Sequence, residues 1–359
     1  MNFEFKQRKI KPSTIFIAVF LGLLLGSLFI LLGGFDVVNV YSFLIKGSLG
    51  GLPALTSTIR WSTIYLICGI ASGIAFKGGV FNMGTEGQLY MGAMAATLVG
   101  IYVKSLPVFI HIPLCMLVGM LAGMTWALLP AILKVYWNTN EIVVTLMMNY
   151  IAIHFTSFLV KEFFLTKGDF GDSLTTDELL PTAQFPRFRN SPISFGFILG
   201  ITLIVLFIIF FDKTTKGFEI KVSGFNPEFA KYSGISVNHV RLSVMLLSGA
   251  IAGLAGASEI MGVQGRFLSE FSPDFGTDGM LVALLGNSNG IGILISSLFM
   301  GMLKAGSLTL ERSAGISRAL AVIIQALIIC FISIKSFNIF NVPIKLPRKN
   351  SIEERRKKI

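Results

Sequence analysis

Apolar residues along this chain are gathered into long continuous runs. Such runs do not fit the alternating faces of half-exposed strands or the single apolar stripe of a surface helix. A hydrocarbon layer about 30 Å thick takes about 20 apolar residues per crossing helix. Runs of that length lie near residues 14–34, 54–76, 86–103, 107–133, 141–160, 193–211, 240–262, 291–308 and 318–335, with a shorter one at 279–289. The pattern predicts an all-α polytopic helix bundle with about ten crossings. The short run is expected to finish its crossing through unwound backbone at 286–290, because nine crossings would put the basic tail on the wrong side of the charge rule.

Composition agrees with a bilayer setting. Hydrophobic types make up 53% of the 359 residues and charged types 14%, where a soluble domain carries about 25% charged; the mean hydropathy is +0.75. A large catalytic or nucleotide-binding domain is excluded. The net charge of +11 sits mostly at the two ends, in Lys6, Arg8, Lys9 and Lys11, and again in Lys345, Arg348, Lys349, Arg355, Arg356, Lys357 and Lys358. A nucleic-acid partner would call for a basic folded face, so none is expected. The charge rule instead predicts cytoplasmic termini, with 1–13 a basic N-terminus, 14–335 the transmembrane domain and 336–359 a basic tail. The first run is too long for a signal sequence and lacks a small-residue cleavage pattern, so it reads as a retained span. Cys68, Cys115 and Cys330 lie in apolar runs without metal or redox spacing.

Glycines recur at four-residue spacing: Gly22 and Gly26, Gly69 and Gly73, Gly119 and Gly123, Gly196 and Gly200, Gly249 and Gly253. Within lipid such positions let helix backbones meet closely. Polar residues inside the runs are fewer. The richest stretch, 77–88, reads Lys-Gly-Gly-Val-Phe-Asn-Met-Gly-Thr-Glu-Gly-Gln. Two readings stand open for it: irregular backbone lining a pathway, or a surface turn in which Glu86 caps the following helix. Arg60 is expected to snorkel to the outer surface, and Asn149 and Gln325 to make interhelical hydrogen bonds. His154 shares its helix face with no second histidine or carboxylate, so no metal site is expected.

The segment 212–241 is far longer than a helix-to-helix turn requires. Within it Asn226 suits an N-cap, Pro227 the first helical position, Glu228 the positive dipole end and Gly234 a left-handed stop. This predicts a short surface helix with Phe229, Tyr232 and Ser233 on one face, offered to a soluble partner or to the membrane surface.

These residues resemble a family, the permease subunits of ATP-binding-cassette importers that serve ribose-type sugars, branched-chain amino acids and nucleosides. The resemblance is carried by Gly224-x-Asn226-Pro227-x-x-Ala230-x-x-x-Gly234-Ile235, by Phe81 to Gln88, by Asn140 to Tyr150, and by Gly276-Thr277-Asp278-Gly279 with Ala283 to Asn287. It covers about residues 55–335, and the forms around Asn82 and Asn140-Glu141 look most like the nucleoside-uptake branch. It implies a bundle of about ten helices paired with a second permease, the same or homologous. It further implies an ATPase subunit docked on the coupling helix (Gly224, Asn226, Pro227, Phe229, Ala230, Tyr232, Gly234, Ile235), and an extracytoplasmic substrate-binding protein. The resemblance also implies a bacterial cytoplasmic membrane location and a pathway including Asn82, Glu86, Gln88 and Asn149. Phe229 stands where the family usually has alanine, and Gly290 where a proline often follows.

The chain has no phosphate-binding Gly-x-x-x-x-Gly-Lys-Ser/Thr loop. Any ATP is therefore expected on the partner ATPase, with no cofactor in this chain and no enzymatic activity of its own. Ribose, galactose or branched-chain amino acids are the alternative substrates. An ion-coupled secondary transporter is the rival class, with Glu86, Glu259 and Arg60 as its available charges.

Overall fold

The computed structural model describes residues 24–166, 174–187 and 191–314, with 322, 323 and 326. Their regular structure is helical. Helix α1 (Leu24–Leu32) bends by 118° into α2 (Val37–Leu49). Then come α3 (Leu52–Lys77), α4 (Thr85–Tyr102), α5 (Val108–Trp137) and α6 (Glu141–Leu159). After the 174–187 segment follow α7 (Gly196–Lys213), α8 (Thr215–Phe225), α9 (Pro227–Tyr232) and α10 (Val237–Glu259), and last α11 (Phe275–Leu285) and α12 (Gly290–Ala314). Among the described residues, six helices are long and apolar enough to cross a membrane, or seven if α1 and α2 together form one span. Most of the expected last span, 318–335, lies outside the described residues.

Two helices form the centre. In α3 and α10, 67% and 72% of the most apolar stretch is buried, against 22–33% in α5, α6, α7 and α12. The outer helices turn Phe109, Leu121, Tyr150, Val205 and Ile295 outward, as a bundle solvated by hydrocarbon or by a second membrane subunit requires. α3 and α10 run antiparallel, with Gly78 against Val244 at one end and Arg60 paired with Glu259 towards the other.

The centre is closed by glycine. α4, α5 and α10 meet backbone to backbone: a Cβ on Gly123 would lie 2.7 Å from Gly253 Cα, and one on Gly253 would lie 3.0 Å from Gly123 Cα. Gly92 abuts Gly253 and Gly256 abuts Leu89 in the same way. On α3, Gly69 and Gly73 admit Val282 of α11 and Ile293 of α12. Three of the spaced pairs thus sit at helix contacts. Gly200 is looser, its nearest neighbour 3.4 Å from an added Cβ, and Gly22 lies outside the described residues.

The course of the chain departs from the sequence reading in three places. Helix α2 was not anticipated, because Asn39, Tyr41, Ser42 and Lys46 break up its apolar content; it is capped by Asp36, which accepts from Val38 N, and packs on α12 and α3. The unwound part next to the short helix lies before it, at 265–274. Residues 286–289 are a tight turn with Asn287 and Ser288 in the left-handed region, and it carries the chain directly into α12 while Gly286 and Gly292 touch. Finally, the 212–241 segment holds two helices, with α8 preceding the expected one.

Because no side chain fits between α5 and α10, Gly253→Val is expected to lower stability by about 1–3 kcal/mol or more through overpacking. Thermal unfolding in detergent checks this against Val205→Ala on the outward face of α7, which should unfold close to wild type.

Candidate functional site

The glycine-rich stretch 78–84 is a joint within the bundle. α3 ends at Lys77, whose ammonium lies 5.0 Å from the Phe211 ring centre. Gly78 and Gly79 turn the chain, Gly79 with φ +72°, and residues 80–83 follow without regular structure. α4 starts at Thr85 beside Ser72 of α3, the two hydroxyls 3.3 Å apart. At 1.5 Å per helical residue, Ser72 lies about 8 Å inside the end of α3. Unwound backbone at such depth needs partners from protein, and side chains supply them.

Asn82, fully buried, exchanges hydrogen bonds with the Gln88 amide (2.9 and 3.2 Å), accepts from Gly84 N at 2.9 Å and donates to Ser248 Oγ on α10 at 2.8 Å. Asn149 of α6 donates to Met83 O and accepts from Gly87 N, both at 2.8 Å. Thr145 Oγ1 accepts from Met83 N at 3.2 Å. Glu86 accepts from Gly276 N at 2.5 Å. The stretch is therefore not a surface turn, and Glu86 caps α11 rather than its own helix. The four residues expected on the pathway are brought together here, with their side chains engaged by this chain.

A second group of charges lies towards the other end of α3. Arg60 does not snorkel: its side chain is 10% exposed, paired with the buried Glu259, and its guanidinium carbon lies 3.9 Å from the Trp61 ring centre. Two further ionisable residues lie near them: Asp278 of α11, noted in the sequence only as part of a family motif, and Lys304 of α12, which sequence reasoning missed. Lys304 lies within a run judged by its apolar average, and a scan for single charges inside such runs would have found it. His154 is exposed on α6.

At the opposite end, α9 forms as its punctuation predicts. Asn226 Oδ1 accepts from Phe229 N at 3.0 Å, Pro227 opens the helix, and Gly234 closes it at φ +80°. Ile235 N returns to Ala230 O at 2.9 Å, and Ala230 is fully buried. Gly224 packs on the backbone of Lys77 and Gly79. Phe229 is 58% exposed and Tyr232 92%. The unanticipated α8 adds Phe218 and Phe225, also exposed. Four aromatic residues thus stand on one end of the bundle.

The described residues thus form a multi-pass helix bundle with a buried polar joint inside and exposed aromatic residues at one end. The chain belongs to the family described as branched-chain amino acid transport system / permease component, which matches residues 54–333. It is 35% identical to the guanosine ABC transporter permease protein NupP of Bacillus subtilis, over 93% of this chain and 96% of that protein. It is 32% identical to the nucleoside ABC transporter permease protein NupB of Lactococcus lactis, over 94% and 93% of the two. It is 33% identical to the glucose ABC transporter permease protein TsgB13 of Haloferax volcanii, over 88% and 86%. No solved structure matches the chain.

Removing the Glu86 carboxylate leaves the Gly276 N–H buried and unpaired, which costs about 1–3 kcal/mol. Glu86→Ala is therefore expected to unfold at lower temperature than wild type in detergent, with Glu86→Gln, which keeps an acceptor oxygen, in between. Equal melting of all three proteins would show that the contact holds nothing.

Proposed function

We propose that this chain is the membrane permease subunit of an ATP-binding-cassette importer for nucleosides or related sugars, in a bacterial cytoplasmic membrane. The observation that carries the reading is α9: a rigid, doubly capped helix presenting Phe229 and Tyr232, on a chain similar over nearly its full length to such permeases. In this reading Gly224, Asn226, Pro227, Ala230, Gly234 and Ile235 build the coupling helix. Phe229 and Tyr232, with Phe218 and Phe225 beside them, enter a separate ATPase subunit, which binds ATP. A second permease covers an outward apolar face, and an extracytoplasmic binding protein delivers substrate. Asn82, Glu86, Gln88 and Asn149 fix the shape of the pathway wall. Guanosine and nucleosides in two relatives' names, against glucose in a third, favour a nucleoside as the first substrate to try.

The test is uptake by the complete complex in proteoliposomes, with labelled guanosine and uridine challenged by glucose, ribose and leucine. ATP-dependent nucleoside uptake is expected, and inhibition by leucine alone would move the chain to the amino-acid branch. Gly234→Pro cannot keep a φ near +80°, since proline holds φ near about −65°. It should reduce uptake by at least about tenfold while the chain still inserts. Unchanged transport would remove α9 from the coupling role.

The orientation follows from the charge rule, which puts α8 and α9 in the cytoplasm. Thr175 is buried, so the exposed Asp177 is the better outside marker. An impermeant thiol reagent applied to sealed cells should label Asp177→Cys at once and Tyr232→Cys only after permeabilisation. The reverse pattern would invert the topology.

A further inference from the structure

Three apolar helices each carry an ionisable residue at one level of the bundle: Arg60 in α3, Asp278 in α11 and Lys304 in α12. Side chains of this kind are expensive within a membrane and gather where a cavity or a solute pays them back. Trp61 stands among them, half-buried. The Arg60 guanidinium carbon is 3.9 Å and the Lys304 Nζ 5.6 Å from its ring centre, and the Phe275 ring lies 5.7 Å away. Tyr65, buried behind, faces Asp278 without closing a regular hydrogen bond, and Arg60 Nη1 is buried without a partner among the described residues. Next to Asp278, Thr277 is exposed, and Trp61, Asp278 and Lys304 are themselves partly so. Arg60 pairs with Glu259, and Asp278 lies in the field of the Lys304 ammonium and of a second carboxylate, Asp274.

We propose that this face, made by Trp61, Thr277, Asp278 and Lys304, holds the permeating solute, and that it selects a ring-shaped molecule bearing adjacent hydroxyls. The indole face receives the flat face of a base or a sugar ring. A carboxylate accepts from two neighbouring hydroxyls at once, and the Thr277 hydroxyl and the Lys304 ammonium can serve further oxygens. A purely structural cluster would be sealed among its helices, whereas here Trp61, Asp278 and Lys304 keep part of their surface uncovered.

The inference rests on the importer reading. Its test uses the complete complex in proteoliposomes with one saturating binding protein throughout, comparing uptake of uridine and 2′,3′-dideoxyuridine. The binding protein's own preference then cancels between wild type and variant. Asp278→Asn is expected to lower uridine uptake at least about tenfold and to shrink the uridine preference by a similar factor, with the ATPase still co-purifying. Trp61→Phe should stay within about threefold of wild type and Trp61→Leu fall about tenfold, since only the first keeps a stacking face. Equal losses for both nucleosides in Asp278→Asn, or no loss, overturn the inference while leaving the importer reading intact. If Asp278→Asn fails to assemble, the Trp61 pair decides alone, and matched activity of its two members overturns the inference. No uptake of any nucleoside or sugar by the wild-type complex overturns both readings.

Discussion

Everything at the centre of this protein depends on pairing the backbone of residues 78–84, which leave helical geometry inside a bundle built for a membrane. Gly78, Val80, Asn82 and Gly84 are buried, and each buried N–H or C=O left unpaired within a membrane costs on the order of several kcal/mol. The solution is to borrow amides. Asn82 ties the stretch to α4 and α10, and Asn149 ties it to α6. Glu86 extends the same network to the start of α11. Four helices are thereby referenced to one short irregular segment.

The glycine contacts make that arrangement possible. Gly92, Gly123 and Gly253 bring α4, α5 and α10 close enough for polar side chains of ordinary length to reach across. The same closeness explains why α4 is less apolar than its neighbours: most of it faces protein rather than lipid, so Thr85, Glu86, Gln88 and Thr97 are buried where partners can be found. The outer helices carry the hydrocarbon-facing surface and are correspondingly plain.

What could be read from the sequence was what is written locally. The α9 helix was legible because Asn226, Pro227 and Gly234 are cap signals that act within a few residues. The six long apolar helices were legible because apolar length is a property of a window. The polar role of Asn149 could be read, but its partners, 62 and 66 residues away, could not. Arg60 was misplaced at the surface because its counter-ion lies 199 residues further on. The glycines at 286 and 290 mark a break, yet glycine serves a tight turn as well as an unwound span, and only packing against α12 decides which. Helix α2 was invisible because its stability comes from α12 and not from its own composition. The expectations for Gln325 and the basic tails fall on residues outside those described.

Gly79 and Gly224 meet with 3.0 Å between the position a Cβ would take on the first and the Cα of the second. Side chains between two elements act as a compliant layer, since they can change rotamer under load; bare backbone cannot. A push delivered to α8 therefore arrives at the foot of the 78–84 segment without a cushion. In the proposed importer, the network that satisfies that segment would then also be what bends or breaks as the helices move. The amides that stabilise the resting bundle would set how large an input is needed to leave it, as a detent sets the force that turns a dial.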